Sequence, residues 1–145
     1  MVDVRRRLAI PAELERLAEI RAVVRDIASA CEAPADCIDD LVQAVDEAVT
    51  NIIVHGYRGA PGIIEMTAEL VADDIVITLV DTAPTFDPTS VPAPDLTVPP
   101  ARRRPGGMGI HLMHLAIDSL VHRPRPGGGN ILTLTRARAR RLKEE

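Results

Sequence analysis

The stretch from Asp46 to Tyr57, DEAVTNIIVHGY, decides how this chain is read. Ala48, Val49 and Ile52 continue an apolar rhythm begun at Leu41, Ala44 and Val45. Steps of three and four residues are those of a helix that buries one face. Glu47, Asn51 and His55 sit inside that rhythm at four-residue intervals. Residues four apart are offset by about 40° on a helix, so Glu47 and Asn51 share a face and His55 drifts off it by about 80°. On spacing alone two readings stand. One is a solvated helix face. The other is one wall of a site, where a carboxylate and an amide hold a hydroxyl nucleophile and a magnesium ion, since hard cations take oxygen ligands. His55 reads as a structural residue that complements the helix dipole or holds the loop.

Upstream of this stretch, Val2 to Ile10 alternates weakly, as an edge strand would. From Pro11 to about Cys31 the apolar residues Leu14, Leu17, Val24, Ile27 and Ala28 recur at helical spacing, and Pro11 suits the first turn of a helix. EAPAD breaks that helix. Asp36 is the expected cap of the next one, with Asp39 and Asp40 in its first turn and its end near Gly56.

Downstream, GYRGAPG is a loop. Ile63 to Val71 alternates apolar and polar residues, ADD turns the chain, and Asp74 to Asp81 alternates again, so the two form a hairpin. Residues 82 to 107 are rich in proline and lack periodicity; such a segment inside a small domain is either a functional lid or disordered. Gly109 to Ser119 reads as a helix, and Leu120–His122 with Asn130–Ala137 as a hairpin across RPRPGGG. The element order is β-α-α-β-β-loop-α-β-β. Strands cluster in hairpins and helices gather apart, which argues for a two-layer α/β sandwich of the α+β class. Its helices lie on one face of a mixed, largely antiparallel sheet.

Composition removes several functions. The 145 residues are 1% aromatic, Tyr57 and Phe86 being the only such residues, so stacking platforms for single-stranded nucleic acid are not built here. A formal charge of −4 gives no basic field for nucleic acid, and the runs Arg5–Arg7 and Arg102–Arg104 need local explanations. Lys143 is the only lysine and no GxxxxGK[ST] occurs, which excludes a P-loop. The N-terminus lacks a signal-peptide core, and no apolar run approaches ~18 residues, so a cytoplasmic protein without membrane contact is expected. Cys31 and Cys37 fit no metal or redox pattern and read as small buried hydrophobes.

Two further stretches carry chemistry. In VDTAPTFDP, Val80 to Pro88, Asp81 ends an apolar strand. Its carboxylate either forms an Asx turn or accepts a hydrogen bond from a buried donor such as an exocyclic amine, with Ala83 small enough to admit a flat ring. In RRRPGGMGIHLMHLAID, Gly106, Gly107 and Gly109 precede a helical pattern, and bare backbone N–H groups at a helix start attract anions. His111 and His114 lie three apart, but no third metal ligand is placed by the sequence, so they read as structural.

Together, in this order, the three stretches resemble the ATP-binding domain of the GHKL superfamily. More narrowly, they resemble the bacterial anti-sigma-factor serine/threonine protein kinases of partner-switching modules. The pattern E-A-x-x-N-x-x-x-H-G-Y is met by Glu47, Ala48, Asn51, His55, Gly56 and Tyr57. The pattern D-x-G-x-x-F-D-P is met by Asp81, Phe86, Asp87 and Pro88, with Ala83 in place of its glycine. The last box is met by Gly106, Gly107, Gly109 and Ile110, followed by Asp118 and by GGN at 128–130.

The resemblance implies a Bergerat-type ATP-binding fold and assigns roles. Glu47 would be the general base and Asn51 the magnesium ligand. Asp81 would bind the adenine amine beside Ala83. Gly107, Met108, Gly109 and Ile110 would lie at the phosphates, residues 88–105 would form the ATP lid, and Asn130 would stand near where the family often has a threonine. The alanine at 83 is expected to weaken ATP binding, not abolish it. Only residues 1–10 precede the first expected helix, so one bare ATP-binding domain over 1–145 is expected. It would use ATP and Mg2+ to phosphorylate a serine or threonine of an anti-anti-sigma-like antagonist, and would sequester another partner, often a sigma factor. Homodimers are frequent in such families, and the first strand and helix are the candidate surface. The competing reading is a regulatory module, with or without nucleotide, that acts by sequestration alone.

Overall fold

Period-two alternation builds the sheet. In a computed structural model, which describes residues 4–90, 97–99 and 108–138, the strands are β1 (Arg5–Pro11), β2 (Ile63–Val71), β3 (Asp74–Asp81), β4 (Ser119–Pro124) and β5 (Asn130–Ala137). Their order is β1-β2-β3-β5-β4, and every pairing is antiparallel. The parallel component expected of a mixed sheet is therefore absent among the described residues, because two hairpins and antiparallel neighbours account for each rung. Ile64, Met66 and Ala68 of β2, Ile75, Ile77 and Leu79 of β3, and Leu132 and Leu134 of β5 are buried on one face.

Two helices cover that face. Helix α1 (Leu17–Ala30) buries Leu17, Ile20, Val24, Ile27 and Ala28, and α2 (Ala35–Asn51) buries Leu41, Ala44, Val45, Ala48 and Val49. A third helix, α3 (Met108–Ala116), packs on α2 and buries Ile110, Met113 and Ala116. Cys31 and Cys37 are buried free thiols within this core, as their neighbours imply, and burial pushes both thiols up.

The ends of the elements depart from the expectations. Pro11 closes β1 opposite Ile63 instead of opening a helix; at the end of an edge strand its missing N–H costs no ladder bond. A short 3-10 turn, Leu14–Arg16, then leads into α1. Pro34, not Asp36, stands at the start of α2, and no side chain caps it; Asp36 lies in the first turn, where its charge favours the dipole. The α geometry of α2 stops at Asn51, and Ile52–Tyr57 continues as a π-helical segment, a wider coil often found at functional sites. Arg6 of the basic run in β1 pairs with Asp26 of α1 at 2.8 Å, a solvent-exposed ion pair worth little stability. The run Arg102–Arg104 lies outside the described residues.

The β4–β5 turn is locked against β3. Gly129 has φ +114°, and a Cβ there would collide with the backbone oxygen of Asp81. Both the conformation and the space demand glycine. Gly129→Ala is expected to cost about 3 kcal/mol or more. A urea denaturation midpoint within error of the wild type would contradict this.

Candidate functional site

The alternation that buries the sheet's leucines also aims polar residues inward: Arg136 of β5, which pairs with Asp40 of α2, and, at the opposite end of the β3–β5 ladder, Asp81 and Asn130. Asp81 follows Ile75, Ile77 and Leu79 on the covered face of β3, and Asn130 precedes Leu132 and Leu134 on the covered face of β5. Asp81 and Asn130 are direct partners across the ladder. They are 2% and 7% exposed, which requires their polar atoms to be used.

Asp81 Oδ1 accepts hydrogen bonds from Ala83 N at 3.0 Å and from Asn130 Nδ2 at 2.9 Å. No described residue donates to Oδ2. Burial pushes the Asp81 carboxyl above the usual range, opposed by the bonds from Asn130 and Ala83 and by the charges of His122 and Arg125. Asn130 also donates to the carbonyls of Ala83 and Pro84, at 3.4 and 3.3 Å. Its Oδ1 accepts from Phe86 N at 2.9 Å and lies 2.8 Å from His122 Nε2. The strand exit at 81–86 is thus stitched to β5 by a single asparagine.

Beside this rim opens a cleft continuous with solvent. Ala48, Asn51, Ile52 and Gly56 form its helical wall, and Asp81, His122, Asn130 and Leu132 its sheet wall. Phe86 and Pro88 border it from the loop and Met113 from α3. Asn51 Nδ2 is buried and has no hydrogen-bond partner among the described residues. An unpaired buried amide costs about 1–3 kcal/mol, so a polar partner supplied from the cleft would relieve it.

Glu47, one turn before Asn51, is half-buried, and its carboxylate lies against Gly109: a Cβ at 109 would collide with Glu47 Oε2. The start of α3 therefore approaches α2 where the carboxylate sits, and glycine is what lets it. Tyr57 fixes the other end of the wall. Its hydroxyl donates to the Ile63 carbonyl at 2.7 Å, and Thr82 N donates to it at 2.9 Å, so the end of the π segment is tied to β2 and to the exit of β3.

The remaining expected site residues fall into place unevenly. Ala83 is buried, is not among the residues lining the cleft, and its φ is not in the left-handed region. The backbone reason for a glycine there is absent, and its methyl faces Gly56, where an added Cβ would stand 3.2 Å away. Ile110 belongs to the core, 7% exposed. Met108 begins α3, while Gly107 and most of the proline-rich segment lie outside the described residues. His55 is exposed and does not line the cleft. Among the described residues no group of three or more His, Cys, Asp and Glu side chains is placed to hold a metal, so His111 and His114 form no such site there.

Sequence reasoning missed His122. Its side chain is 5% exposed, lines the cleft and touches Asn130. The signal existed: Leu120 and His122 share one face of β4, and the hairpin register pairs His122 with Leu132, whose side chain faces the core.

Comparison with known proteins gives a consistent picture. The family model described as Histidine kinase-like ATPase domain matches residues 10–136. The chain is 30% identical over 116 residues to the anti-sigma F factor of Thermoanaerobacter sp. (strain X514), spanning 80% of this chain and 81% of that one. It is 29% identical over 117 residues to the serine-protein kinase RsbW of Bacillus cereus (strain G9842), spanning 78% and 73%. A solved structure of the RsbU and RsbW domains of Rv1364c from Mycobacterium tuberculosis matches 92% of this chain with a TM-score of 0.65 at 20% identity, a likeness of fold. This chain spans about a third (31%) of that larger one. No helix among the described residues is long and apolar enough to cross a membrane.

Proposed function

This chain belongs to the histidine kinase-like ATPase domain family, and we propose that it is an ATP-dependent serine/threonine protein kinase acting as an anti-sigma-type regulator. Its substrate would be a serine or threonine of an antagonist protein in a partner-switching module, and a sigma factor is the second partner this reading favours. The relatives named anti-sigma F factor and serine-protein kinase RsbW support it at the level of class. One observation carries it: the Glu47 carboxylate meets the glycine start of α3 one helical turn from Asn51, and Asn51 lines a cleft bordered by Asp81.

The residues present fit the nucleotide and its ion. Asp81 Oδ2, which receives no donor among the described residues, suits the exocyclic amine of adenine. Leu132, Ile52 and Met113 supply apolar walls for the base. Asn51 carries a buried amide in need of a partner. Its oxygen would be the protein ligand of Mg2+, which commonly keeps waters and phosphate oxygens as its other ligands. When bound, the ion neutralises charge developing on the transferred phosphoryl group. Glu47 accepts the proton of the attacking hydroxyl as its oxygen bonds to the γ-phosphorus and ADP leaves. Backbone N–H groups of Met108 and Gly109 at the start of α3 would hold phosphate oxygens, and the same role is proposed for Gly107. The lid assignment of residues 88–105 stays within this reading, supported by Pro88, which lines the cleft.

The test is transfer of labelled γ-phosphate to an anti-anti-sigma-type partner protein. Saturable Mg-ATP binding with no phosphoprotein would favour the sequestration-only reading, and absence of ATP binding would sink the kinase. Gly109→Ala checks the carboxylate's place. The added methyl must displace Glu47, so transfer is expected to fall at least about tenfold with the melting temperature little changed. Full activity in that variant would remove Glu47 from the reaction.

A further inference from the structure

His122 contacts nothing that the proposed phosphoryl transfer needs, yet it is almost fully enclosed at the wall of the cleft. Its Nε2 stands 2.8 Å from Asn130 Oδ1. The orientation of the Asn130 amide is settled by its other contacts. Nδ2 faces three oxygens, Asp81 Oδ1 and the carbonyls of Ala83 and Pro84, and Oδ1 receives the backbone N–H of Phe86. The atom facing His122 is therefore an acceptor, and Nε2 must carry the hydrogen. The other ring nitrogen, Nδ1, faces the Asp87 carboxylate at 3.8 Å.

A chain of two hydrogen bonds follows: His122 Nε2–H to Asn130 Oδ1, then Asn130 Nδ2–H to Asp81 Oδ1. With Ala83 N it supplies both donors that Asp81 Oδ1 receives. The carboxylate is held in one rotation, with Oδ2 left for a ligand. An acceptor fixed at that spot suits a base with an exocyclic amine and repels one with a carbonyl oxygen there. We propose that His122 is a positioning residue for the nucleobase, fixing the Asn130 amide and through it the Asp81 carboxylate, so that adenine is selected over guanine. The inference rests on the ATP-binding reading and deepens it.

Two variants separate positioning from bulk. His122→Phe keeps the ring volume and removes the donor; His122→Gln places an amide N–H near the position of Nε2. His122→Phe is expected to weaken Mg-ATP binding about tenfold, the scale of one lost buried hydrogen bond, and to narrow the ATP-over-GTP ratio by a similar factor. His122→Gln is expected to recover most of both. In the transfer assay KM for ATP rises while kcat at saturation stays within about twofold, as loss of uniform binding requires. A ratio unchanged in a folded His122→Phe, or a ratio that His122→Gln fails to recover, would overturn the proposal. The nucleotide-free wild type gives a separate check. Its side-chain 15N spectrum is expected to show a protonated, slowly exchanging Nε2, and a ring protonated on Nδ1 alone would overturn the proposal even if the variants do not fold. Wild type that binds no Mg-ATP while showing the Nε2–H would defeat the ATP reading, and nucleobase selection with it, but leave the hydrogen-bonded chain standing.

Discussion

Glu47→Gln is expected to lower phosphate transfer by about 10²–10⁴-fold while leaving the Mg-ATP dissociation constant within about threefold. Glutamine matches glutamate in shape, so it keeps the packing against Gly109 and removes only the capacity to take a proton. The serine or threonine hydroxyl is a poor nucleophile near neutrality, and a positioned base removes its proton as the phosphorus–oxygen bond forms. Single-turnover transfer of labelled phosphate, with calorimetry on the same preparations, separates the two quantities. Equal losses in binding and transfer would instead make Glu47 a nucleotide-binding group. Transfer at the wild-type rate would leave the reaction without this base and return the carboxylate to the solvated helix face that its spacing also permits.

The contrast between Glu47 and its neighbours shows what could be read from the sequence. Strands β2 and β3 were legible to the residue, because strict alternation bounded by a short turn leaves one register. Asp81 stood out in the sequence as the carboxylate that ends the apolar strand β3, with the small Ala83 two places on. Helix ends were less legible. Pro11 satisfies both a helix start and an edge-strand end, and only its pairing with Ile63 decides between them. Asp36 has the chemistry of a cap, but Pro34 holds the extended backbone that precedes α2. The π-helical turn at Ile52–Tyr57 has no signature in a period-3.6 pattern, although it brings Gly56 beside Ala83. His122 depended on the register of a hairpin whose turn contains three glycines with positive φ, and alternation within so short a strand gave little warning. Ala83 is the reverse case. A residue that contradicts the family pattern sits with an ordinary φ and points its methyl at Gly56, so its cost is a matter of packing against one glycine, not of backbone conformation.

Asp81→Asn carries the largest expected effect on binding. Asparagine keeps an oxygen where Oδ1 accepts from Ala83 N and Asn130 Nδ2, and places an NH2 where Oδ2 now stands. Two donors, this NH2 and the adenine amine, would then face each other in an enclosed site. Loss of a charge-assisted hydrogen bond plus an unsatisfied buried donor amounts to about 3 kcal/mol or more, so ATP affinity is expected to fall at least about a hundredfold. GTP, whose base presents an oxygen at the corresponding position, is expected to lose far less, and the preference between the two should narrow or invert. Stability should move the other way. Burial raises the Asp81 pKa, so the ionised carboxylate weighs against folding at neutral pH. For such a raised group the wild type's handicap is absent below the unfolded carboxylate pKa and grows as pH rises through the folded value. Asp81→Asn should therefore melt higher than wild type at pH 7.5, with the difference shrinking toward zero as the medium is acidified past that window. Melting curves at several pH values, read beside ATP and GTP titrations, test both halves. A variant that binds ATP as the wild type does would show that the cleft takes its base elsewhere. A variant less stable than wild type at pH 7.5 would show that the carboxylate holds the rim together more than its burial costs.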